Sequence, residues 1–220
     1  MMLKSMNPEG KVPFRILCLG AHCDDIEIGC GGTILRLLRE VGGDQIIIRW
    51  VVFSSDPTRE KEAFGSANEF LMGAREKEII IKNFRNSYFP YIALEIKEYF
   101  EEMKNFFKPD LIFTHYRDDL HQDHRLISDL TWNTFRNHFI LEYEIPKYDG
   151  DFGSPNYYVR LSDGICREKI GILLKWFCSQ SDKHWFSQDT FYSVLRIRGM
   201  ESGSPEKYAE GFYSRKYIVP

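Results

Sequence analysis

Alternating apolar strands and amphipathic helices constrain the fold of this chain more than any other sequence feature. The segment FRILCLG (14–20) is mostly apolar and ends at a glycine, which predicts a strand buried on both faces. Apolar residues recur at helical spacing over 31–43, and QIIIRWVVFSS (45–55) predicts a second buried strand. Because two parallel strands need a crossover connection, this unit predicts a right-handed βαβ arrangement.

The same alternation continues toward the middle of the chain. The sequence predicts a helix-rich region over 58–84, in which REKEIIIKNF is the best-defined helix, and a short strand at YFPY. An amphipathic helix is predicted over 94–107, and DLIFTHY (110–116) predicts another buried strand before a further helix. The pattern indicates an α/β three-layer sandwich with a mainly parallel, Rossmann-like sheet.

The pattern becomes less regular after about residue 140. Gly, Pro and Asp are frequent over 144–156, which predicts a long loop that could cover a site. A strand at 157–161 and a helix at 165–178 are predicted before an aromatic-rich tail. The chain has no evident repeat or interdomain linker, so we expect a single domain spanning 1–220.

Composition and charge argue against several classes of protein. Hydrophobic residues make up 43% of the 220 residues and charged residues 28%, as in ordinary globular domains. The net charge of −3 does not favour nucleic acids or anionic membranes, and no apolar run reaches the ~18 residues of a membrane span. The N-terminus does not resemble a signal peptide. Five cysteines without a C-x-x-C pair argue against a disulfide scaffold, so we expect a cytoplasmic protein.

Two of the predicted strands end in clusters of histidine and acidic residues. AHCDD follows the first strand, and YRDDLHQDHR follows DLIFTH. In open parallel sheets, sites form at the carboxyl ends of the strands, so both clusters are expected at one edge. His22 and Asp25 are three residues apart, as are His121 and His124, and this spacing lets each pair converge.

A catalytic zinc site could use these residues. Such sites commonly have three protein ligands and an open fourth position, and His22, Asp25 and one of the two later histidines would supply that set. Each cluster alone has a simpler interpretation, because Asp24 and Asp25 could cap a helix. His121 and His124 could likewise begin a polar surface helix. Their joint occurrence at two strand ends favours the metal site.

Three segments resemble the PIG-L/LmbE-like family of zinc-dependent N-deacetylases. AHCDDIEIGCGGTI (21–34) resembles the family's A-H-P-D-D motif and the Gly-rich start of its helix, and HQDH (121–124) resembles its H-x-D-H motif. The tail RGMESGSPEKYAEGF resembles the family's C-terminal segment, with Gly211 in place of an alanine. The resemblance covers nearly the whole chain and implies an LmbE-like fold.

The resemblance also implies a site and a reaction. Zinc, or another divalent metal such as Fe²⁺, would be bound by His22, Asp25 and His124. Asp24 would be the general base, a protonated His121 would stabilise the oxyanion, and Asp123 would orient or tune a neighbouring histidine. The implied enzyme hydrolyses an N-acetyl, or similar N-acyl, group of a small amino sugar or glycoconjugate, with assembly into a homo-oligomer left open.

Two residues near these motifs have competing interpretations. Cys23 occupies the family's proline position, which puts metal affinity in question because proline presets the turn. As a nucleophile it would need a base, but adjacent side chains of an extended segment point opposite ways and the neighbouring acids oppose a thiolate. Arg75 lies where the family often places a substrate-contacting arginine, although it could equally be a solvated helix charge.

Other functions remain open at this point. A nucleotide- or S-adenosylmethionine-binding α/β enzyme would need a phosphate-binding glycine pattern, which the glycines around AHCDD do not form. A catalytically inactive metal-binding or interaction domain is the non-enzymatic alternative. Aromatic residues of the C-terminal part could stack on a sugar or form core. They are Trp176, Phe177, Trp185, Phe186, Phe191 and Tyr192.

Overall fold

Seven strands form the central sheet of the computed structural model, which describes residues 6–7 and 10–217. In chain order the strands are β1 (Phe14–Gly20), β2 (Ile46–Val52), β3 (Glu76–Ile81), β4 (Leu111–His115), β5 (Phe139–Tyr143), β6 (Tyr157–Leu161) and β7 (Tyr208–Tyr213). Across the sheet their order is β3-β2-β1-β4-β5-β7-β6. The first five strands of this order are parallel, and β7 is antiparallel to both of its neighbours. The predicted α/β fold with a mainly parallel sheet is confirmed.

Helices cover both faces of the sheet. In the described residues they are α1 (Asp25–Leu37), α2 (Pro57–Phe70), α3 (Ala93–Phe106), α4 (Gln122–Thr134), α5 (Asp163–Trp176) and α6 (Gln188–Glu201). Helices α1, α2, α5 and α6 contribute to one hydrophobic core, and α3 and α4 to the other. The layers are therefore helices, sheet and helices. None of the helices that the structure describes is long and apolar enough to cross a membrane.

Residues of β1 alternate between the two cores. Ile16 and Cys18 pack in the core beneath α1 and α2, whereas Leu17 and Leu19 pack in the core beneath α3 and α4. Successive side chains of a strand point to opposite faces, so a strand covered on both faces is apolar at nearly every position. Burial of each such Leu or Ile side chain contributes ~1.5–3 kcal/mol relative to exposure. This double burial explains why the β1 segment is so clear in the sequence.

The ends of β1 and β4 lie beside each other where the strand order reverses. The chain continues from β1 through α1 to β2 on one side, and from β4 through α4 to β5 on the other. These divergent connections open a crevice at the carboxyl ends of the two strands, where open α/β sheets bind ligands. The AHCDD and HQDH segments both contribute side chains to this crevice.

The segment predicted as the best-defined helix, REKEIIIKNF, is instead an edge strand. In β3, Ile79 pairs with Trp50 and Ile80 with Val51 of the parallel strand β2. Consecutive isoleucines suit a pleated strand because β-branched side chains lose more freedom in a helix. The helix prediction was wrong because a short apolar run fits either structure until its pairing partner is known.

Two other regions also differ from the prediction. YFPY contains a 3₁₀ turn (Phe89–Tyr91) rather than a strand, as expected for a segment whose proline cannot donate to a sheet. The region after residue 140 is more regular than predicted, because β5, α6 and β7 were not recognised in the sequence. The loop over 144–156 and the strand over 157–161 agree with the prediction.

Helix α1 begins at Asp25, so the glycines predicted to start this helix lie inside it. A Cβ atom on Gly29 would lie 2.2 Å from the Tyr143 ring, and one on Gly31 would lie 2.7 Å from the Phe70 ring. Glycine costs about 1 kcal/mol relative to alanine in a helix interior. Here it lets β5 and α2 approach α1 closely.

The C-terminal segment that resembles the family contacts α1 through Glu210. The buried carboxylate of Glu210, in β7, accepts hydrogen bonds from the backbone N–H groups of Gly32 (2.8 Å) and Thr33 (2.7 Å). The same carboxylate pairs with the buried Lys169 Nζ at 2.7 Å. Because both charges are buried, each depends on the other for its stabilisation. This pair therefore anchors the helix that carries Asp25.

Candidate active site

Three side chains that the sequence indicates as metal ligands converge at the crevice. His22 lies in the turn after β1, Asp25 is the first residue of α1, and His124 lies in the first turn of α4. His22 Nδ1 is 3.1 Å from His124 Nε2 and 3.4 Å from Asp25 Oδ2. The Asp25 and His124 atoms are 3.6 Å apart. The three potential donor atoms thus form a nearly equilateral triangle.

This triangle fits a tetrahedral metal ion. Ligands about 2.0–2.1 Å from zinc lie about 3.3 Å from one another at tetrahedral angles. Two imidazole nitrogens and one carboxylate oxygen are donors that both zinc and Fe²⁺ accept. His121 lies close enough to His22 and His124 for these three rings also to form a group that could hold an ion.

His124 is oriented as a neutral ligand. Its Nδ1 lies 2.9 Å from Asp119 Oδ2 and donates to that carboxylate, which leaves the Nε2 lone pair available. Burial and the neighbouring His115 lower the pKa of His124 to about 3. At neutral pH this ring therefore carries no extra proton that a metal would have to displace.

His22 differs because it faces two carboxylates. Its Nε2 lies 3.4 Å from Asp123 Oδ2, and its Nδ1 faces Asp25. Burial opposes the charged imidazolium, but the hydrogen bonds to Asp123 and Asp25 outweigh burial and raise the pKa of His22 to about 9. In the metal-free protein this ring is protonated at neutral pH, so metal binding must release that proton.

Asp24 has one oxygen engaged and one oxygen free. It occupies the N-cap position of α1 but makes no side-chain capping hydrogen bond, so helix capping does not explain its carboxylate. Its Oδ1 pairs with Nη2 of Arg59 at 2.8 Å. Its Oδ2 is buried and has no hydrogen-bond partner among the described residues. The arginine thus orients a carboxylate whose other oxygen is available to accept a proton.

The contacts of His121 favour a neutral ring over the protonated ring that the resemblance implies. Its Nδ1 accepts a hydrogen bond from the backbone N–H of Asp123 (3.2 Å), which leaves the ring proton on Nε2. Burial and the charge of His22 lower the pKa of His121. The ring centroid lies 4.9 Å from that of His22 and 4.6 Å from that of His124. A neutral ring that donates from Nε2 is therefore the form consistent with these contacts.

Asp123 lies behind His22 and does not line the cleft. Its fully buried carboxylate accepts hydrogen bonds from the backbone N–H groups of Ser87 (2.6 Å) and Phe89 (3.2 Å). Ser87 adopts the left-handed conformation, with φ of 65°, which is uncommon outside glycine. These contacts fix the Asp123 carboxylate, which can therefore orient the His22 ring through Nε2.

Two buried residues of the site were not recognised in the sequence. His115, the last residue of β4, stacks on His124 with ring centroids 3.9 Å apart, and its Nε2 lies 3.2 Å from Asp25 Oδ2. Asp25, His115 and His124 form a second group that could hold an ion, although His115 Nε2 already accepts the Ala21 N–H (2.9 Å). For His115, the position at the end of a predicted strand was a signal that could have indicated a site residue. The second unrecognised residue is Asp119, and the sequence distinguishes it from the neighbouring acidic residues by no such signal.

Arg75 lies away from this site, which corrects its suggested contact with substrate. Its backbone N–H donates to Gly43 O (2.7 Å) and Ile46 O (3.0 Å) at the opposite edge of the sheet, and its side chain is exposed. Arg59 of α2 lines the cleft instead. The sequence pattern does not define the limits of α2, so nothing in the sequence distinguishes this arginine from other surface charges.

Cys23 is buried in the core beside the site. Its Sγ donates to Ser54 O at 3.3 Å, and the residue is absent from the lining of the cleft. Burial raises the pKa of the thiol, with Arg59 opposing and Asp24 reinforcing the shift. A buried thiol with a raised pKa is a poor nucleophile, in agreement with the sequence-based argument.

The site opens into a cleft of about 420 Å³. Residues 145–149 form one part of its lining, and Gln180, Lys183 and Trp185 form another. Among the aromatic residues considered above, Trp185 lines the cleft. The following three are buried in the core: Phe177, Phe186 and Phe191. The other three, Trp176, Trp185 and Tyr192, are partly buried and pack against the same core, and Trp185 also lines the cleft.

Comparison with protein families gives a match to one of them. The model of the PIG-L family, described as GlcNAc-PI de-N-acetylase, matches residues 17–135, which is more than half of the chain. The matched region begins in β1 and ends just beyond α4. It includes both clusters that converge at the crevice.

Solved structures with the same fold cover almost the whole chain. N,N'-diacetylchitobiose deacetylase from Pyrococcus horikoshii is 21% identical, with a TM-score of 0.65 over 100% of this chain and 94% of that chain. The 4-carboxy-2-hydroxymuconate hydratase GalB from Pseudomonas putida KT2440 is 14% identical, with a TM-score of 0.73 over 94% and 98%. A zinc-inhibited form of teicoplanin deacetylase is 12% identical, with a TM-score of 0.67 over 91% and 97%. At these identities the similarities establish a shared fold.

Proposed function

Because the chain belongs to the PIG-L (GlcNAc-PI de-N-acetylase) family, we propose that it is a metal-dependent amide hydrolase acting on an N-acetylated sugar. The substrate would be a small amino sugar or sugar conjugate carrying an N-acetyl or similar N-acyl group. The observation that carries this proposal is the triangle of donor atoms from His22, Asp25 and His124. Beside it, Asp24, which directly precedes Asp25, has a buried Oδ2 without a hydrogen-bond partner among the described residues.

The three donor atoms are the proposed metal ligands. A zinc ion held there would polarise the acyl carbonyl and lower the pKa of water toward about 7. His22 and His124 would contribute nitrogen donors, and Asp25 would contribute Oδ2. Asp123 and Asp119 would keep the two imidazoles in the required orientation through their ring contacts.

Asp24 is the proposed general base. Its free Oδ2 would take a proton from the attacking water while that water's oxygen bonds to the acyl carbon. Arg59 would hold the carboxylate in this orientation through its contact with Oδ1. As the C–N bond breaks, Asp24 would return the proton to the leaving nitrogen. The products are the amine and acetic acid, which at neutral pH become ammonium and acetate, so both protons and the oxygen of the water molecule are accounted for.

His121 is the proposed donor to the oxyanion. Its Nε2–H would face the carbonyl oxygen as negative charge develops there, because Nδ1 is already occupied by the backbone of Asp123. A preorganised donor of this kind typically contributes ~3 kcal/mol to transition-state stabilisation. Hydrogen bonding by a neutral imidazole requires no protonation step during the cycle.

The surroundings of the site support a polar small-molecule substrate. The cleft of about 420 Å³ has room for a sugar ring with an attached group. Asn86, Gln180 and Lys183 provide polar groups, and Trp185 provides an aromatic surface of the kind that contacts sugars. All five cysteines are free thiols, which supports the proposal of a reducing, cytoplasmic setting.

The proposal is tested by measuring acetate and free amine released from a panel of N-acetyl sugars and sugar conjugates. Zinc-loaded protein should release both products in equal amounts, and protein stripped by a chelator should release neither. Asp24→Asn should lower kcat by about 10²–10⁴-fold while retaining bound zinc. Turnover that survives complete metal removal, or an Asp24→Asn variant with unaltered kcat, would contradict the mechanism.

A further inference from the structure

Part of the cleft lining depends on side-chain contacts for its position. The segment 144–156 between β5 and β6 contains no helix or strand. Nevertheless, the five consecutive residues 145–149 all line the cleft. We call these five residues the cleft wall. Because it lacks the backbone pairing of a helix or sheet, its position depends on the contacts of individual side chains.

Lys147 makes the main charged contacts of the cleft wall. Its Nζ lies 2.9 Å from Asp119 Oδ2 and 2.5 Å from Asp151 Oδ2, and also approaches Ile145 O at 3.4 Å. The side chain is only 10% exposed. Asp151 Oδ2 accepts the backbone N–H of Leu120 at 2.7 Å, so both acids connect Lys147 to the loop after β4.

Asp119 links this contact to the proposed catalytic groups. Its carboxylate is buried, and Oδ1 accepts the backbone N–H of His121 at 2.8 Å. Oδ2, the atom that Lys147 contacts, also accepts from Nδ1 of His124 at 2.9 Å. One carboxylate therefore contacts the proposed oxyanion donor, a proposed metal ligand and the cleft wall.

We propose that Lys147 is a positioning residue that fixes the cleft wall to the loop between β4 and α4 through Asp119 and Asp151. Its role in the reaction rests on the proposed function, whereas its role in holding the wall does not. Lys147 contacts none of the three proposed donor atoms. Its removal should therefore release the wall and weaken substrate binding while leaving the metal triangle in place.

This effect differs from that expected for Asp119. A carboxylate behind a ligating histidine orients the ring and increases its basicity, and its loss typically costs about 10–100-fold in metal affinity. Lys147 contacts Asp119 and does not contact His124 itself, so it is farther from the three proposed donor atoms. Zinc affinity thus distinguishes a residue that holds the wall from one that supports the ligand.

The test uses the 220-residue chain with Lys147→Met, Lys147→Arg, Asp151→Asn and Asp119→Asn. The control is Lys108→Met, because Lys108 is an exposed lysine before β4, at the opposite edge of the sheet. Chymotrypsin cleavage after Tyr148 and Phe152, both exposed aromatic residues, is followed by mass spectrometry of zinc-loaded protein. Zinc affinity is measured by competition with a chelator, and kcat and KM by acetate release.

Lys147→Met should be cleaved at these two bonds about tenfold faster than the unaltered protein, since the open state of the segment becomes more populated. Its zinc affinity should stay within about threefold, while KM rises about tenfold with a smaller change in kcat. Asp151→Asn should also raise the cleavage rate and KM. Lys147→Arg should keep both values near those of the unaltered protein, and Lys108→Met should change neither.

Unchanged cleavage rates in both Lys147→Met and Asp151→Asn would overturn the proposal. A loss of zinc affinity in Lys147→Met as large as that in Asp119→Asn would also overturn it, because Lys147 would then act on the metal ligand. If no acetylated sugar is hydrolysed, the proposed function fails separately, and the cleavage and zinc measurements still decide whether Lys147 holds the wall.

Discussion

Metal binding should depend steeply on pH because His22 is protonated in the metal-free protein. Asp123 and Asp25 raise the pKa of His22 to about 9, while the pKa of His124 is lowered to about 3. At pH 7 roughly one molecule in a hundred then has an unprotonated His22, which reduces the apparent free energy of zinc binding by ~2.7 kcal/mol. The raised pKa means that protons compete with the metal below pH 9 and cease to compete above it.

We therefore expect the apparent zinc affinity to rise about tenfold per pH unit between about pH 5.5 and 7, with release of about one proton per metal ion. Competition with a chromophoric chelator measures the affinity, and calorimetry in two buffers of different ionisation enthalpy counts the protons. His22→Ala should bind zinc more weakly and lose this slope. Exposed His184, changed to Ala, provides the matched control and should retain it.

An apparent affinity that stays constant over this pH range in the unaltered protein would refute the assignment of the proton to His22. The same conclusion would follow if His22→Ala kept the full slope. Either result would mean that another group competes with the metal, or that the metal binds away from the His22 ring.

Three further predictions concern the arginines and the packing of α1. Arg59→Met should lower kcat/KM by about 10–100-fold in the acetate-release assay because Asp24 loses its ion-pair partner. In the control variant Arg75→Met, kcat/KM should stay within about twofold of the unaltered value. Equal effects of the two substitutions would contradict the placement of the two arginines. Gly29→Ala should lower the free energy of unfolding by about 1–3 kcal/mol in urea titrations because its Cβ would meet the Tyr143 ring, whereas Gly171→Ala, which has open space, should be neutral or stabilising by up to ~1 kcal/mol. Glu210→Gln should cost about 3 kcal/mol in the same titration by leaving the Lys169 charge buried and unpaired, and a loss well below 1 kcal/mol would show that the pair does not anchor α1.

The sheet and the location of the site could be predicted from the sequence because their signals are local. β1 is buried on both faces, so its apolar run is nearly continuous, and the parallel fold brings its carboxyl end beside that of β4. The strand β3 gave a misleading signal because charged and apolar residues in REKEIII fit a helix equally well. Its pairing with β2, distant in the chain, decides the outcome.

Several features of the site could not be predicted because they depend on contacts between distant segments. Arg59 became significant only when α2 placed its guanidinium against Asp24. The backbone N–H of Asp123 donates to the His121 ring and favours its neutral form, and residue spacing does not reveal this contact. Lys147 is an ordinary loop lysine in the sequence, and its contact with Asp119 spans 28 positions.

The central claim is that His22, Asp25 and His124 hold a metal ion at the crevice. Anomalous X-ray diffraction from zinc-loaded crystals, recorded on both sides of the zinc absorption edge, tests this claim most directly. We expect one strong peak bonded to His22 Nδ1, Asp25 Oδ2 and His124 Nε2, at the usual zinc distances of about 2.0–2.2 Å. A peak bonded to His115 in place of His22, or crystals of zinc-saturated protein without a peak at the crevice, would contradict it.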